Sequence, residues 1–350
     1  MLSGDGTVIY GATGYSGGRV VLRARQLGLQ PLLCGRDAKK LQLLGEELGL
    51  PHRIAALTEP ATLDGAFAGA VVVVNAAGPF SRSAQPIADA CLRTGAHYLD
   101  ITAEPRPIAS IAERDTEARA RGVMLMPAVG FDVVPTDCLA VHVARRLPRA
   151  TRLAIAVTNL QFLTRGSART LLENVDHGAV RRDGVMTQVP LGSIERTFDF
   201  GAGPQPAMNV SLGDLVTAYY STGIPNVETY VEATPLIRAL LTGCRSLGWV
   251  LGSAPWQAVL GAWTDLLPET SGGAEGQPMT IVAEAEDAAG RRVSARLRTP
   301  QAYEFTGVTA AAIAKHVLAG DLERGFQTPA RVYGPDFVLG FADVVREDLA

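Results

Sequence analysis

The stretch Thr7-Val-Ile-Tyr-Gly11-Ala-Thr-Gly14-Tyr-Ser-Gly17 decides the fold. Thr7 to Tyr10 is a β-branched and aromatic run, as a strand requires, and it leads directly into glycines spaced G-x-x-G-x-x-G. Behind them Val20, Val21, Ala24 and Leu27 recur at helical spacing, up to Gly28. Strand, glycine turn and helix in that order make a phosphate-binding unit. Gly11 permits the tight turn out of the strand. Gly14 lets backbone N–H groups approach a pyrophosphate at the helix N-terminus, and Gly17 lets that helix pack close to the sheet. Thr13, Tyr15 and Ser16 occupy the remaining loop positions and are candidate contacts to the same dinucleotide.

Outward from this loop, strands are predicted at 31–34, 54–57, 71–74, 97–101 and 123–129. Helical patterns fall at 37–48, 84–93 and 108–121, with a short crossover at 62–67. The run Val71 to Val74 is continuously apolar, as a strand buried on both faces requires. Six strands with crossover helices predict an α/β fold: a Rossmann-type doubly wound parallel sheet. After about residue 150 the strands lengthen, at 153–157, 193–200, 227–231, 279–285 and 292–298, with a hairpin turn at Ala288-Ala-Gly290. Helical segments lie near 167–175, 214–221 and 235–267. This is the pattern of a second α+β domain on a mixed or antiparallel sheet. The expected domains are 1–135 for the dinucleotide and 136–307 for substrate and dimerisation. A carboxyl-terminal segment, 308–350, is expected to pack back on the first domain, with a helix at 308–318 and a short strand at 330–333.

Composition removes several function classes. The 350 residues hold 32 Lys plus Arg against 35 Asp plus Glu, a net charge of -3, so no electrostatic footprint for nucleic acid exists. With 47% hydrophobic and 19% charged residues the chain buries a large core. None of the four cysteines lies in a C-x-x-C pair, which suits buried thiols in a reducing cytosol. No basic-then-apolar leader precedes the first strand, and no run of about 18 apolar residues exists. A cytoplasmic protein without a spanning helix is expected.

The second strand ends Cys34-Gly35-Arg36. An acid near this point would favour NAD; arginine instead offers a planar cation for a 2′-phosphate, so NADP(H) is the expected cofactor. Lys40, one helical turn on, adds a second positive charge. Asp37 dissents, unless it caps the following helix. The fourth strand ends Asn75-Ala76-Ala77-Gly78-Pro79-Phe80, whose small residues leave room for the nicotinamide ribose. Asn75 either bonds that ribose or closes its own turn.

With two later motifs these residues resemble the saccharopine dehydrogenase-like family of NADP-binding oxidoreductases. The matching pieces are GATGYSG (11–17), CGRDAKKL (34–41), VVVVNAAGPF (71–80), GAHYLDITAE (95–104) and GFDVVPTD (130–137). The likeness covers residues 7–140 and is faint beyond. Ala103 departs from it, standing where the family usually has glycine before the glutamate. Activities in the family include reduction of an imine in lysine metabolism and trans-acting enoyl reduction of polyketide-type lipids; the resemblance implies hydride transfer from NADPH and fixes no acceptor.

Tyr98, Asp100 and Glu104 fall at the end of the fifth strand, and Asp132 and Asp137 beyond the sixth. Asp132, Tyr98 and Asp100 are the candidate catalytic residues, able to position a substrate amine or relay a proton. Alternatively Asp100 closes a loop hydrogen bond and Asp137 satisfies first-turn N–H groups. No tyrosine is followed four residues later by lysine, which excludes the short-chain dehydrogenase pair. Three lysines in all make Schiff-base chemistry improbable, and scattered histidines give no metal cluster. In the second domain Asn159, Arg165, Ser167, Arg169, Glu173 and Asn174 are candidate substrate contacts. Trp249, Trp256 and Trp263 recur every seven residues, as core, subunit interface, pocket wall or membrane contact. The expected function is an NADPH-dependent oxidoreductase acting on C=N, C=O or activated C=C of a small or lipid-like substrate, in a homodimer. The alternatives are a non-enzymatic NADP(H) sensor and a membrane-apposed enoyl reductase.

Overall fold

A computed structural model of the chain describes residues 5–158, 178–251 and 278–349. The chain divides into two compact units, Met1–Val134 with Ala302–Val332, and Pro135–Gln301 with Tyr333–Ala350.

The first unit is built on a seven-stranded sheet. Its strands are β1 (Thr7–Tyr10), β2 (Leu32–Gly35), β3 (His52–Ile54), β4 (Val72–Asn75), β5 (His97–Asp100), β6 (Met124–Met126) and β15 (Gly325–Phe326). All pairings are parallel, in the order β3-β2-β1-β4-β5-β6-β15. The order reverses between β1 and β4, and ligands of open parallel sheets bind outside the carboxyl ends of the strands at such a reversal. Strands β1, β2 and β4 are buried at every residue, which is why their sequences are mainly apolar with no polar alternation. Pairing sets Tyr10 beside Asn75 and Asn75 beside Asp100, one row at the carboxyl edge.

Helix α1 (Tyr15–Gln26) buries Val20, Val21 and Ala24. Around the sheet follow α2 (Ala38–Leu48), α3 (Pro60–Phe67), α4 (Phe80–Thr94), α5 (Pro105–Ala112) and α6 (Asp115–Arg121). The single helix expected at 108–121 is therefore two. At the break Arg114 bonds Asp89 and Glu117. The third strand is also earlier than expected, at 52–54, and its apolar continuation Ala55 is buried beyond it.

The second unit starts within α7 (Val134–Arg146) and carries β7 (Ala150–Val157), β8 (Ala179–Arg182), β9 (Val185–Gln188), β10 (Glu195–Asp199) and β11 (Pro204–Asn209). Then come α8 (Asp214–Thr222), β12 (Asn226–Glu232), α9 (Pro235–Leu251), β13 (Met279–Asp287) and β14 (Arg292–Thr299). The strand order is β10-β11-β12-β7-β13-β14-β16, with β8 on β12 and β9 on β8. β12 runs parallel to β7 and the other pairs are antiparallel, so the sheet is mixed. Asp287 shapes the β13–β14 hairpin by accepting from the N–H groups of Ala289 and Arg291.

The carboxyl-terminal segment is shared between the units. Helix α10 (Ala302–Leu318) packs on α1 so closely that a Cβ on Gly307 would stand 3.2 Å from the Arg19 backbone. Residues 329–333 are helix α11 (Pro329–Tyr333), not the expected strand; the strand is β15, just before it. Four residues, three of them apolar, carry no decisive period, and Pro329, with its fixed φ, starts a helical turn. Strand β16 (Val345–Leu349) belongs to the second unit and pairs with β14. Its sequence, Val-Arg-Glu-Asp-Leu, lacks strand alternation because it is a charged edge strand. The helix expected near 167–175, the six polar candidates from Asn159 to Asn174, and Trp256 and Trp263 lie outside the described residues, as does the side chain of Trp249.

Candidate functional site: a nucleotide cradle at the carboxyl edge of the parallel sheet

β1 ends at Tyr10, and the chain turns through Gly11 at φ +83°, a region that disfavours any side chain. A Cβ on Gly11 would stand 2.8 Å from the Ala77 nitrogen, so the turn lies directly against the end of β4. On its other side a Cβ on Gly17 would lie 2.1 Å from the Gly11 carbonyl oxygen. The Gly11 peptide is thus held between α1 and the β4 turn. Gly14 is the N-cap of α1; it is exposed, its N–H donates to Gly11 (3.0 Å), and no side chain caps the helix. The first turn of α1 holds no acid. Thr13, Tyr15 and Ser16 are half-buried around this opening. Tyr15 meets Tyr303 edge to face at 5.1 Å and carries the Arg19 guanidinium 3.8 Å from its ring centre. A bare helix end with glycine-lined space beside it fits a pyrophosphate.

At the end of β2 Arg36 and Lys40 are exposed. Asp37 is the N-cap of α2 and accepts from the Lys40 N–H at 3.0 Å. The acid that would argue for a ribose 2′-hydroxyl is engaged by its own helix, while the two cations are at the surface. This arrangement fits a 2′-phosphate.

The β4 turn is fixed from inside. Asn75 is fully buried; its Oδ1 accepts from the Ala77 N–H at 3.0 Å, and its Nδ2 donates to Ser83 Oγ at 3.1 Å and to the Tyr98 hydroxyl at 3.5 Å. Of the two roles open to Asn75, the geometry places its side chain in its own turn. Ala76 and Ala77 are half-buried and Gly78 exposed, so the outer surface of this turn is small and accessible.

Tyr98 and Asp100 are both fully buried. The Tyr98 hydroxyl donates to Asp100 Oδ2 at 2.6 Å, and Asp100 Oδ1 accepts from the N–H groups of Thr102 (2.9 Å) and Ala128 (2.8 Å). Burial pushes the Asp100 carboxyl up to about 6 against these bonds, and burial beside Asp100 pushes Tyr98 well above the ordinary phenol range. Glu104, also buried, accepts from the Phe80 N–H at 3.1 Å, at the start of α4. Asp132 is half-buried in the loop after β6; burial raises its carboxyl to about 6, opposed by its own backbone N–H. Asp137 is fully buried in the first turn of α7.

A stability consequence follows from Asp100. Its acid is weaker folded, about 6, than its ordinary 3.8. That difference stabilises the fold fully below the lower value and is lost as pH rises through the upper one. The loss is about 3 kcal/mol for roughly two pK units. Denaturation midpoints measured from pH 4 to pH 7 are expected to fall accordingly, and Asp100→Asn is expected to flatten this slope.

Sequence reasoning missed the partners supplied from far along the chain. Thr306 Oγ1 accepts from the Phe131 N–H at 3.0 Å and Thr309 Oγ1 donates to the Val129 carbonyl at 2.8 Å, both from α10. Glu304 binds Arg19 and Arg23 on α1. No local spacing signals pairs separated by more than 170 residues. Ala128, at φ +60° without being glycine, was equally invisible. In the second unit a separate cavity of about 770 Å³ is lined by charges already paired, Arg182 with Glu228, Arg196 with Glu284, and Arg152 and Arg292 with Glu286. Among the described residues no group of three His, Cys, Asp or Glu is placed to hold a metal, and no helix is long and apolar enough to cross a membrane. Cys34, Cys91 and Cys138 are buried free thiols.

Comparisons with known proteins bear on the same segment. Residues 7–126 match the family described as saccharopine dehydrogenase NADP binding domain. A trans-acting enoyl reductase of Mycobacterium ulcerans (strain Agy99) is 32% identical over 161 residues, 44% of this chain and 38% of that protein. The trans-acting enoyl reductase of Mycobacterium leprae (strain TN) is 35% identical over 151 residues, 40% of this chain and 35% of that protein. The chain thus spans little more than a third of the length of these relatives. Saccharopine dehydrogenase (L-Glu forming) from Saccharomyces cerevisiae has the same fold, with a TM-score of 0.67 over 98% of this chain and 99% of that one at 13% identity. The glycine cradle, the strand order and the match over 7–126 together mark that segment of the first unit as similar to a saccharopine dehydrogenase NADP-binding domain.

Proposed function

We propose that the chain is an NADPH-dependent reductase that acts on a C=N, C=O or activated C=C bond of a small or lipid-like acceptor. One observation carries this reading: a bare helix end and two exposed cations share the carboxyl edge of a parallel sheet, and the acid between those cations in sequence, Asp37, is already used as a cap. The names of the curated relatives favour the activated C=C among the three acceptors.

NADPH, when bound, supplies the hydride. In this reading the backbone of Gly11 to Gly17, with Thr13, Tyr15 and Ser16 around it, holds the pyrophosphate. Arg36 and Lys40 hold the 2′-phosphate. Ala76, Ala77 and Gly78 offer a small surface to the nicotinamide ribose, on a turn that Asn75 stiffens. Asp132 is the proton donor. It is the one member of the catalytic trio with accessible surface, and a carboxyl raised to about 6 can be protonated near neutral pH. The homodimer and the cytoplasmic setting remain parts of this proposal, checked by sedimentation and by fractionation.

The test is oxidation of NADPH, followed at 340 nm, with a 2-enoyl thioester, a 2-oxo acid with ammonia, and a simple ketone offered separately. Turnover of one class supports the reading. Tight NADPH binding without turnover of any would favour a sensor. A general acid works in its protonated form, so reduction is expected to slow as pH rises through about 6. Asp132→Asn is expected to lower kcat by roughly 10²- to 10⁴-fold with little change in NADPH affinity. An unchanged pH profile in that variant would remove Asp132 from the role.

A further inference from the structure

We infer that Asp100 is a positioning residue, a brace that holds Ala128 in the left-handed conformation and so fixes the loop that carries Asp132. The inference deepens the proposed function and rests on it for the meaning of Asp132, but the brace itself is a property of the fold.

Asp100 ends β5, and Ala128 lies just past the end of β6, the neighbouring strand. One bond joins them directly and a second ties Asp100 to the next residue, Val129. Asp100 Oδ1 accepts from the Ala128 N–H at 2.8 Å, and the Asp100 carbonyl accepts from the Val129 N–H at 2.7 Å. Ala128 sits at φ +60°, where a side chain is disfavoured and surrounding contacts must hold the backbone. It is fully buried, so water does not replace a lost partner. Two residues on, the Gly130 carbonyl accepts from the N–H groups of Val133 and Val134, and Phe131 donates to Thr306; Asp132 lies inside this closed turn. The same carboxylate reaches back through the Tyr98 hydroxyl toward Asn75 and the β4 turn. Glu104 repeats the pattern by accepting from Phe80 at the start of α4. The segment from Tyr98 to Glu104 therefore places its acids on backbone N–H groups of neighbouring elements, and full burial withholds Asp100 from any substrate.

A brace and a proton donor answer differently to isosteric replacement. In Asp100→Asn the carbonyl oxygen still accepts from Thr102 and Ala128, so the bond to Ala128 survives while the Tyr98 hydroxyl loses Asp100 as its acceptor. Asp100→Ala loses all three bonds. In Asp100→Ala with Ala128→Gly, the backbone no longer needs the brace to stay at positive φ. The experiment is amide exchange by mass spectrometry on the full chain, reading the peptide across 127–133, with NADPH affinity and nicotinamide fluorescence measured on the same samples. Asp100→Asn is expected to leave exchange within about threefold of the parent, and Asp100→Ala to speed it by about tenfold or more, with the double variant in between. Nicotinamide fluorescence is expected to follow exchange. If Asp100→Asn loosens the peptide as much as Asp100→Ala, or if Ala128→Gly restores nothing, the brace is wrong. If Asp100→Ala does not fold, Asp100→Asn with and without Ala128→Gly decides by the same peptide. Failure of the parent chain to bind NADPH would instead count against the proposed function and leave the exchange result intact as a test of the brace.

Discussion

Gly17→Ala is expected to abolish NADPH binding and lower the melting temperature sharply, whereas Gly18→Ala, one residue on, raises it slightly. In a helix interior alanine normally gains roughly 0.5–1 kcal/mol over glycine, so the sign at position 17 is diagnostic. Its Cβ would lie 2.1 Å from the Gly11 carbonyl oxygen and 2.9 Å from the carbonyl carbon. Both are backbone atoms. Gly11 cannot retreat, because its own Cα backs onto Ala76 and Ala77 at the end of β4. The helix must therefore lift from the sheet, costing about 3 kcal/mol or more for overpacking of this severity. Lifting it also moves the bare N-terminus away from its ligand. At Gly18 the nearest atom to an added Cβ is the Ala12 oxygen at 3.9 Å, an ordinary contact. Thermal melts of the two variants and titration with NADPH check the pair. A Gly17→Ala protein as stable as Gly18→Ala would refute the close packing on which the cradle depends.

Arg36→Ala is expected to weaken NADPH by roughly 10- to 100-fold, the value of one charge-assisted contact, and NADH by less than about twofold. The contrast is the point, since only the 2′-phosphate distinguishes the two. Arg36 is exposed, so its removal leaves the core intact, and Asp37 remains bonded to the Lys40 N–H. Lys40→Ala should act in the same direction with a smaller effect, because lysine offers a point charge and no bidentate fork. Titration calorimetry with both coenzymes checks this. Equal losses for NADPH and NADH would show that Arg36 acts on the common part of the ligand or on the loop itself.

The first unit was legible because its signals are local. The glycine spacing, the apolar run at Val71 to Val74 and the Cys34-Gly35-Arg36 end are each set within a few residues, and the strand order follows from crossover rules. The roles of individual polar groups were not legible. Asn75 and Asp100 differ from ligand-facing residues only in where their side chains end, and that depends on Ser83, Tyr98 and Ala128, on other elements. A carboxylate at a strand end has the same sequence signature whether it meets a substrate or a backbone N–H. The second unit hid its edges for a different reason. β9 is exposed at every residue and β16 is mostly charged, so neither has the alternation that a half-buried strand shows. The division of the carboxyl-terminal segment depends on α10 meeting α1, a contact no short window contains.

Calorimetric titration of the purified full chain with NADPH, and separately with NADH, tests the central claim most directly. One site per chain with NADPH at least about tenfold tighter than NADH is the expected result, from the charge-assisted bonds that a 2′-phosphate adds. No heat and no uptake with either coenzyme would contradict the assignment of residues 7–126 as a working NADP cradle.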